Sequence, residues 1–497
     1  MTRIFIGNPY FGTANYGDDL TLDGFLSAAE GADVELYACS ASNIEALSAK
    51  FPGVSWLPES ERVVALSEAD IWLGLGDTPF QLDSGSWCFD FNELELQRCA
   101  ALGKPMYHLG IGCESVAAAS DPRTAALLSA ASFAWMRDEL SSDLVRPFAD
   151  PARLGSGADL AHLAFEGDAR FPLPERDVLG LLLAFEKREQ IDIDELAAFI
   201  SRRAPGSTRW LAQDTRALPY LERWLLAEFP VEVRSRLSTM EFDHYTTSVA
   251  DYLRMFGSPE VAITSRYHAT LIAAWQGSRT FVIARSDKLR GIALEFGLPC
   301  AGAVLSQATL ASAVTSAVAV PRERLRAARA RANAMCEEFF SALSTPSRSS
   351  ARAQPAAAVP RVAASDALPF EKLRATIEAQ IPGALPAGAV ATLRCVVTNR
   401  SDAVYASAPP HPIELCYRWF DESGGPIGAG TWIHTALPIP LGPGNRLEIP
   451  ARVDVPAVPG TYDLALSLLQ EGIAWFDDLD AASGVRRSVT VAARPEG

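Results

Sequence analysis

Three loops carry residue types that could do chemistry at neutral pH. Ser265-Arg266-Tyr267-His268 follows the strand-like run Val261-Ala262-Ile263-Thr264 and leads into an apolar stretch at 269–275. A planar guanidinium meets a carboxylate or phosphate with two parallel hydrogen bonds, and a neighbouring imidazole can deliver a proton near neutral pH. If Ser265 caps the following helix, Arg266 and His268 stand at its first turn, where free backbone N–H groups and the positive dipole end favour an anion. The same residues also fit a capped helix with Arg266 in a salt bridge and His268 packed inside. One strand later, residues 280–284 run into Arg285-Ser286-Asp287-Lys288, a second cationic turn. The third loop, residues 7–19, has glycines at 7, 12 and 17, which permit tight turns, and places Asp18 and Asp19 at a helix start, where they repel an anion. It lacks the lysine of a phosphate-binding G-x-x-x-x-G-K-[ST] loop and has no G-x-G-x-x-G. Asn15 and Asp18 could position a hydroxyl group there; alternatively, Asp18 is simply the N-cap of a glycine-rich turn.

These loops need strands to present them. Apolar runs at 4–6, 34–37, 71–73, 105–109 and 132–136 read as strands, with helical patterns such as 20–29 and 92–101 between them. The alternation restarts at 178–185 and continues through 209–212, 261–264 and 280–284. The pattern predicts an α/β chain of two doubly wound, Rossmann-like lobes, residues 1–170 and 171–343, with ligand between them in loops past the carboxyl ends of strands. An Arg/Ala-rich helix at 321–343 is expected to close the second lobe, and residues 344–366, rich in Ser, Pro and Ala, read as a flexible tether. Residues 367–497 change to an all-β pattern, with strand-like runs at 391–399, 413–420, 446–453 and 462–469. In 413–419 the odd positions carry the large apolar groups, so one face is buried as in a sandwich and Trp419 belongs to the core.

Composition narrows the function classes. The 497 residues are 48% hydrophobic and 21% charged, as in ordinary globular chains. The net charge of −16 is concentrated in the first lobe, where residues 1–170 hold 10 Lys+Arg against 25 Asp+Glu. Such a field repels nucleic acid, and no basic stripe offsets it. The longest apolar run, 178–185, is broken by Gly180 and is far shorter than the roughly 20 residues of a membrane span. Residues 1–7 enter a strand without the apolar region of a secretory signal, so the chain is expected in the cytoplasm. Eight cysteines form no C-x-x-C pair, so neither a zinc ribbon nor a disulfide framework is signalled, and most are expected to be buried.

Together these elements resemble the polysaccharide pyruvyl transferase family over about residues 1–320. The resemblance rests on Asn15-Tyr16-Gly17-Asp18, the Lys104-Pro105 strand leading to Gly110-Ile111-Gly112, Met136-Arg137-Asp138-Glu139-Leu140-Ser141, Gly157-Ala158-Asp159-Leu160 and, most specifically, Ser265-Arg266-Tyr267-His268-Ala269. Lys288, followed by Phe296-Gly297-Leu298-Pro299, matches the family's ending. One departure is visible: where the family commonly has a glycine run, this chain has Gly74-Leu75-Gly76-Asp77. The resemblance implies a GT-B-like pair of lobes that moves the enolpyruvyl-derived group of phosphoenolpyruvate onto saccharide hydroxyls as a pyruvate ketal, in surface or exopolysaccharide synthesis. It implies His268 as proton donor and catalytic residue with Arg266, and Ser265, Arg266, Arg285 and Lys288 as the donor-binding set. Asn15, Asp18 and Asp77 are then the acceptor-side residues. Phosphoenolpyruvate is a substrate, and the reaction calls for no cofactor and no metal. The partner is a saccharide or lipid-linked oligosaccharide, which could bring the chain to a membrane surface without a transmembrane segment. The terminal unit resembles immunoglobulin-like modules of glycan-processing enzymes, in which Trp432, Trp475 and Phe476 could stack on sugars, although each also fits a sandwich core. Two other readings remain open: a GT-B glycosyltransferase with a nucleotide-sugar donor, and a non-catalytic glycan-binding scaffold.

Overall fold

A computed structural model describes residues 1–9, 11–12, 14–82, 85–165, 174–185, 190–216, 218–302, 304–344, 367–427 and 433–493. The chain divides into two compact units, Met1–Leu96 with Pro105–Ala351 and Gln97–Lys104 with Arg352–Gly497.

The first unit contains two parallel sheets. Strands β1 (Thr2–Ile6), β2 (Val34–Ser40), β3 (Ser55–Pro58), β4 (Ile71–Leu75), β5 (Met106–Ile111), β6 (Phe133–Met136) and β7 (Leu154–Ser156) lie in the order β3-β2-β1-β4-β5-β6-β7. Strands β8 (Glu175–Leu182), β9 (Thr208–Trp210), β10 (Leu237–Thr239), β11 (Pro259–Thr264), β12 (Arg279–Ala284) and β13 (Cys300–Gly302) lie in the order β10-β9-β8-β11-β12-β13. Every pairing in both sheets is parallel. Central strands covered on both faces must be apolar throughout, and Ile4, Phe5 and Ile6 in β1 and Ala262 and Ile263 in β11 are fully buried. Each sheet reverses its strand order next to its first strand, between β1 and β4 and between β8 and β11. Crevices at such switch points take ligands, and residues 7–9, 14–15, 76–77 and 265–268 all lie there.

Three of the four strands that the sequence pattern omits, β3, β7, β10 and β13, have only three residues and the other has four, too short for a periodic signal. A further difference concerns the helix Arg322–Ser344, expected to close the second lobe. Its buried stripe of Leu325, Ala328, Ala332, Met335, Cys336 and Phe339 lies largely on the first lobe. Phe339 packs on Phe25, Tyr107 and Trp135, and the Trp135 indole donates to Glu338 at 2.9 Å. The aromatic end of the stripe finds its partners on β5, β6 and the first helix, so the chain returns to the lobe in which it began. The expected lobe boundary at 170 lies outside the described residues. Of the expected tether only Ser344 is described, as the last residue of this helix.

The second unit takes in the end of the helix Trp87–Leu102, and its described residues from 367 onward are β apart from short helical turns. One sheet has the order β14 (Ala375–Ala379), β16 (Val390–Asn399), β20 (Arg446–Asp454). The other has the order β15 (Ala384–Pro386), β23 (Gly484–Ala492), β21 (Gly460–Gln470), β17 (Ile413–Phe420), β18 (Pro426–Ile427), with β19 (Thr435–Ala436) on β17 and β22 (Ala474–Trp475) on β21. Pairing is antiparallel except between β15 and β23. Ile413, Leu415, Tyr417 and Trp419 are buried, as their alternation requires. Phe476 is fully buried in the same core, so it offers no platform to a sugar. Trp475 is half-buried beneath the Arg418 guanidinium, 4.4 Å from its ring, and Trp432 lies outside the described residues. All eight cysteines are free thiols, and only Cys300 is exposed.

Candidate active site

The site is assembled where the two lobes of the first unit meet. Asn15 ends the loop after β1 and caps the helix Tyr16–Ala29; its side-chain oxygen accepts from the Gly17 N–H at 3.0 Å and from the Gln213 amide at 2.8 Å. The cap is therefore Asn15, not Asp18, and Gln213, just past β9, ties it to the second lobe. A methyl group on Gly17 would fall 2.2 Å from His268 Nδ1 and 2.7 Å from Gln213 Nε2. Glycine is thus required where the first helix of one lobe meets the first turn of Tyr267–Trp275 in the other.

His268 is nearly buried. Its Nε2 lies 3.6 Å from Asp159 Oδ2 and 3.4 Å from Thr21 Oγ1. The Thr21 hydroxyl donates to the Gly17 carbonyl at 3.1 Å, so toward the imidazole it can only accept, which assigns the hydrogen to Nε2 and turns Nδ1 toward Gly17. Asp159, past β7, accepts from the Ala161 N–H at 2.9 Å. Burial opposes its ionisation, but the His268 ring and the Arg137 guanidinium outweigh that and hold its carboxyl at about 2. Arg137, past β6, is fully buried, 3.6 Å from Asp159 and 3.4 Å from Asp138, and lies 4.2 Å over the Tyr267 ring. Asp138 caps Glu139–Val145 through the Ser141 N–H at 2.7 Å. Met136-Arg137-Asp138 thus supplies both a structural cap and a cation of the site. Gly112 makes room for it, because a methyl group there would lie 2.6 Å from the guanidinium.

Lys288 opens the helix Asp287–Phe296 with its side chain mostly buried. Burial and the Arg285 guanidinium lower its pKa, Arg137 adds to this, and Glu114 and Asp77 oppose it, so these groups share one region across both lobes. Glu114 Oε1 stands 4.0 Å from the Lys288 ammonium, beyond hydrogen-bond reach. Arg285 donates to the Ser265 carbonyl at 3.1 Å. Ser286 occupies the N-cap position of the same helix, and its buried hydroxyl has no hydrogen-bond partner among the described residues. From the first lobe Asp77 reaches the region of Lys288, and Asp18 stands near Asp77 and the Arg216 guanidinium. Burial, with the Asp77 and Asp19 carboxylates nearby, pushes the Asp18 carboxyl well above its ordinary range. Asp77 has a left-handed backbone, φ 61°, immediately after Gly76 at φ 63°. Asp19 is engaged elsewhere, by Lys50 at 2.6 Å.

Two expectations are corrected. Ser265 does not cap the helix: it is fully buried, and its hydroxyl donates to the Ala184 carbonyl at 2.6 Å and accepts from the Ala184 N–H at 2.7 Å, pinning β11 to the end of β8. A side chain so engaged cannot also hold a donor. Arg266 takes the N-cap position without a capping side chain, and its guanidinium is held by Glu222, with Nε 2.7 Å from Oε1, and by Asp214 at 3.7 Å. The salt-bridge reading of Arg266 is the one realised. Arg216 adds a second bond to Asp214, making a charged network inside the second lobe. Lys288 and Arg285 share one region with Arg137 and Asp77, Arg137 and His268 meet at Asp159, and Asp18 lies near Asp77, while the Ser265 carbonyl holds Arg285.

Sequence reasoning did not single out Glu114, Gln213, Asp214 or Ser286 as site residues; Arg137 entered only as a pocket pair or ion pair with Asp138, and Asp159 only within a family motif. A signal existed for most: each except Asp159 follows closely on the carboxyl end of a recognisable strand. Asp159 follows β7, a strand of three residues that no periodicity marks, and its one sequence signal was the Gly157-Ala158-Asp159-Leu160 step of the family resemblance.

A family model for polysaccharide pyruvyl transferase matches residues 15–287. No curated protein matches the sequence. Among solved structures, the chain is similar to a putative UDP-N-acetylglucosamine 2-epimerase from Listeria monocytogenes, at 13% identity over 71% of this chain and 98% of that one, TM-score 0.44. It is also similar to MnaA of S. aureus in complex with UDP, at 11% identity over 69% and 96%, TM-score 0.46. A third is the calicheamicin glycosyltransferase CalG4, at 12% identity over 70% and 99%, TM-score 0.41.

Proposed function

This chain belongs to the polysaccharide pyruvyl transferase family, and on that premise we propose that it transfers the enolpyruvyl-derived group of phosphoenolpyruvate to two hydroxyls of a saccharide, forming a pyruvate ketal and releasing phosphate. The observation that carries this reading is the convergence of a carboxylate-backed imidazole, His268 with Asp159, and the cations Lys288, Arg285 and Arg137 at one junction of the lobes.

Phosphoenolpyruvate is a small trianion. The Lys288 ammonium, the Arg285 guanidinium, the unpartnered Ser286 hydroxyl and the N–H groups opening Asp287–Phe296 suit its phosphate, and Arg137 suits its carboxylate. With Nε2–H directed to Asp159 and Thr21, His268 Nδ1 is the atom that delivers a proton to the terminal alkene carbon. The central carbon then becomes an oxocarbenium ion, which the neighbouring carboxylates stabilise. A sugar hydroxyl adds to it; its proton passes to the Asp18–Asp77 pair and leaves with the phosphate. The second hydroxyl closes the ketal, and its proton restores His268. One donor and one diol therefore give one ketal and one phosphate. Arg266 and Ser265 act as positioning residues that fix the turn carrying His268.

The test is incubation with phosphoenolpyruvate and a panel of soluble and lipid-linked glycans, following phosphate release together with a mass gain on the glycan. His268→Gln is expected to lower kcat by about 10²- to 10⁴-fold while donor binding changes little. Full turnover by this variant would remove His268 as proton donor. Release of a nucleoside diphosphate from a sugar nucleotide, with no response to phosphoenolpyruvate, would replace the reading with glycosyl transfer.

A further inference from the structure

The terminal β unit contains a cluster that the reaction does not use. Glu414 stands on β17, with β21 paired on one side and β19 on the other, and its direct partners are Leu469 and Ala436. Glu471 lies two residues beyond Leu469 and His434 two residues before Ala436, the spacing that returns side chains to the face of the sheet on which Glu414 stands. The three meet. His434 Nδ1 is 2.8 Å from Glu414 Oε2 and 3.7 Å from Glu471 Oε2, and one ligand atom from each residue lies within 4.8 Å of the other two.

An ion pair needs one carboxylate for one imidazole. Here one carboxylate on β17 and one just past β21 converge on the same ring nitrogen, and a neutral imidazole can offset their mutual repulsion with no more than one N–H hydrogen. Nitrogen and oxygen ligands about 2.1 Å from one ion at tetrahedral angles stand about 3.4 Å apart, a spacing that the 2.8 and 3.7 Å separations bracket. His411 stands beside the cluster, with Nδ1 3.1 Å from the main-chain carbonyl of Glu471, and helps to fix the turn that carries this ligand.

We propose that Glu414, His434 and Glu471 form a site for a divalent first-row transition metal ion, with zinc as the fitting occupant and water completing its coordination. One imidazole with two carboxylates suits zinc, whereas calcium and magnesium take oxygen ligands. The ion cross-links β17, the segment entering β19 and the end of β21, so it stabilises the β unit without touching the transfer chemistry.

The experiment is a titration of the full chain with Zn²⁺ alone, in competition with a chromophoric chelator at neutral pH. It is run in a Cys300→Ser background because Cys300 is the exposed thiol. One saturable equivalent is expected, weakened at least tenfold by His434→Ala and by the double substitution Glu414→Gln with Glu471→Gln, and unchanged by Glu448→Gln at a separate surface ion pair. Thermal unfolding of the β unit should shift upward with Zn²⁺ in the parent and not in the site variants, a readout independent of transfer activity. Absence of a saturable equivalent would overturn the proposal. So would an equivalent that His434→Ala leaves intact, since the ion would then sit elsewhere.

Discussion

At the scale of single residues, the decisive group is Asp159, because it holds His268 and Arg137 together from a fully buried position. Its carboxyl lies at about 2, below the ordinary 3.8, so the unfolded chain takes up this proton first as pH falls. The stabilisation is therefore complete above about pH 5 and is lost as pH drops through 4 toward 2, on the order of 2 kcal/mol in all. Asp159→Asn should abolish that part of the acid response in denaturant titrations and lower kcat at least tenfold, with a smaller effect on the apparent KM for the donor. An unchanged acid response would mean that the carboxylate does not carry this linkage. Arg266 shows why a residue type legible in sequence can still be assigned the wrong partner. Its position in the Ser265–His268 turn was evident, but Glu222 and Asp214, which hold the guanidinium, come from positions about 44 and 52 residues away in the chain. No local pattern reports such a contact.

At the scale of elements, the site depends on two helix starts that face each other across the lobes. Gly17 lies in the first turn of Tyr16–Ala29, and His268 Nδ1 occupies the space that a side chain there would need. Gly17→Ala favours the helix by up to about 1 kcal/mol through propensity alone, yet it must displace the imidazole. The expected outcome is a chain of near-parental thermal stability whose turnover falls more than tenfold; equal losses of stability and activity would instead indicate general unfolding of the junction. Helices such as Tyr16–Ala29, Trp87–Leu102 and Tyr267–Trp275 and the longer strands were legible because their pattern is local. The direction of Arg322–Ser344 was not: an apolar stripe marks a buried face but does not say which lobe receives it, and Phe25, Tyr107 and Trp135 settle that in space.

At the scale of the whole molecule, a chain of net charge −16 carries the cationic junction at which the trianionic donor is proposed to bind. Long-range repulsion between exposed charges is screened by salt, whereas contacts inside the cleft are screened far less. The kcat/KM for phosphoenolpyruvate should therefore rise between about 10 mM and about 150 mM ionic strength, with little change for a neutral acceptor. A steady fall for the donor would mean that the local cations dominate even at a distance. The sequence by itself determined the α/β pattern, the β character of the terminal unit, the turns at 265–268 and 285–288 and the family to which they point, because residue order and short-range periodicity encode all of these. Only the tertiary structure decided that His268 meets Gly17 and Asp159, that Arg266 and Ser265 serve as supports, and that Glu414, His434 and Glu471 converge. Those relations join residues from about 20 to about 250 positions apart, and they exist only after strands and lobes have packed.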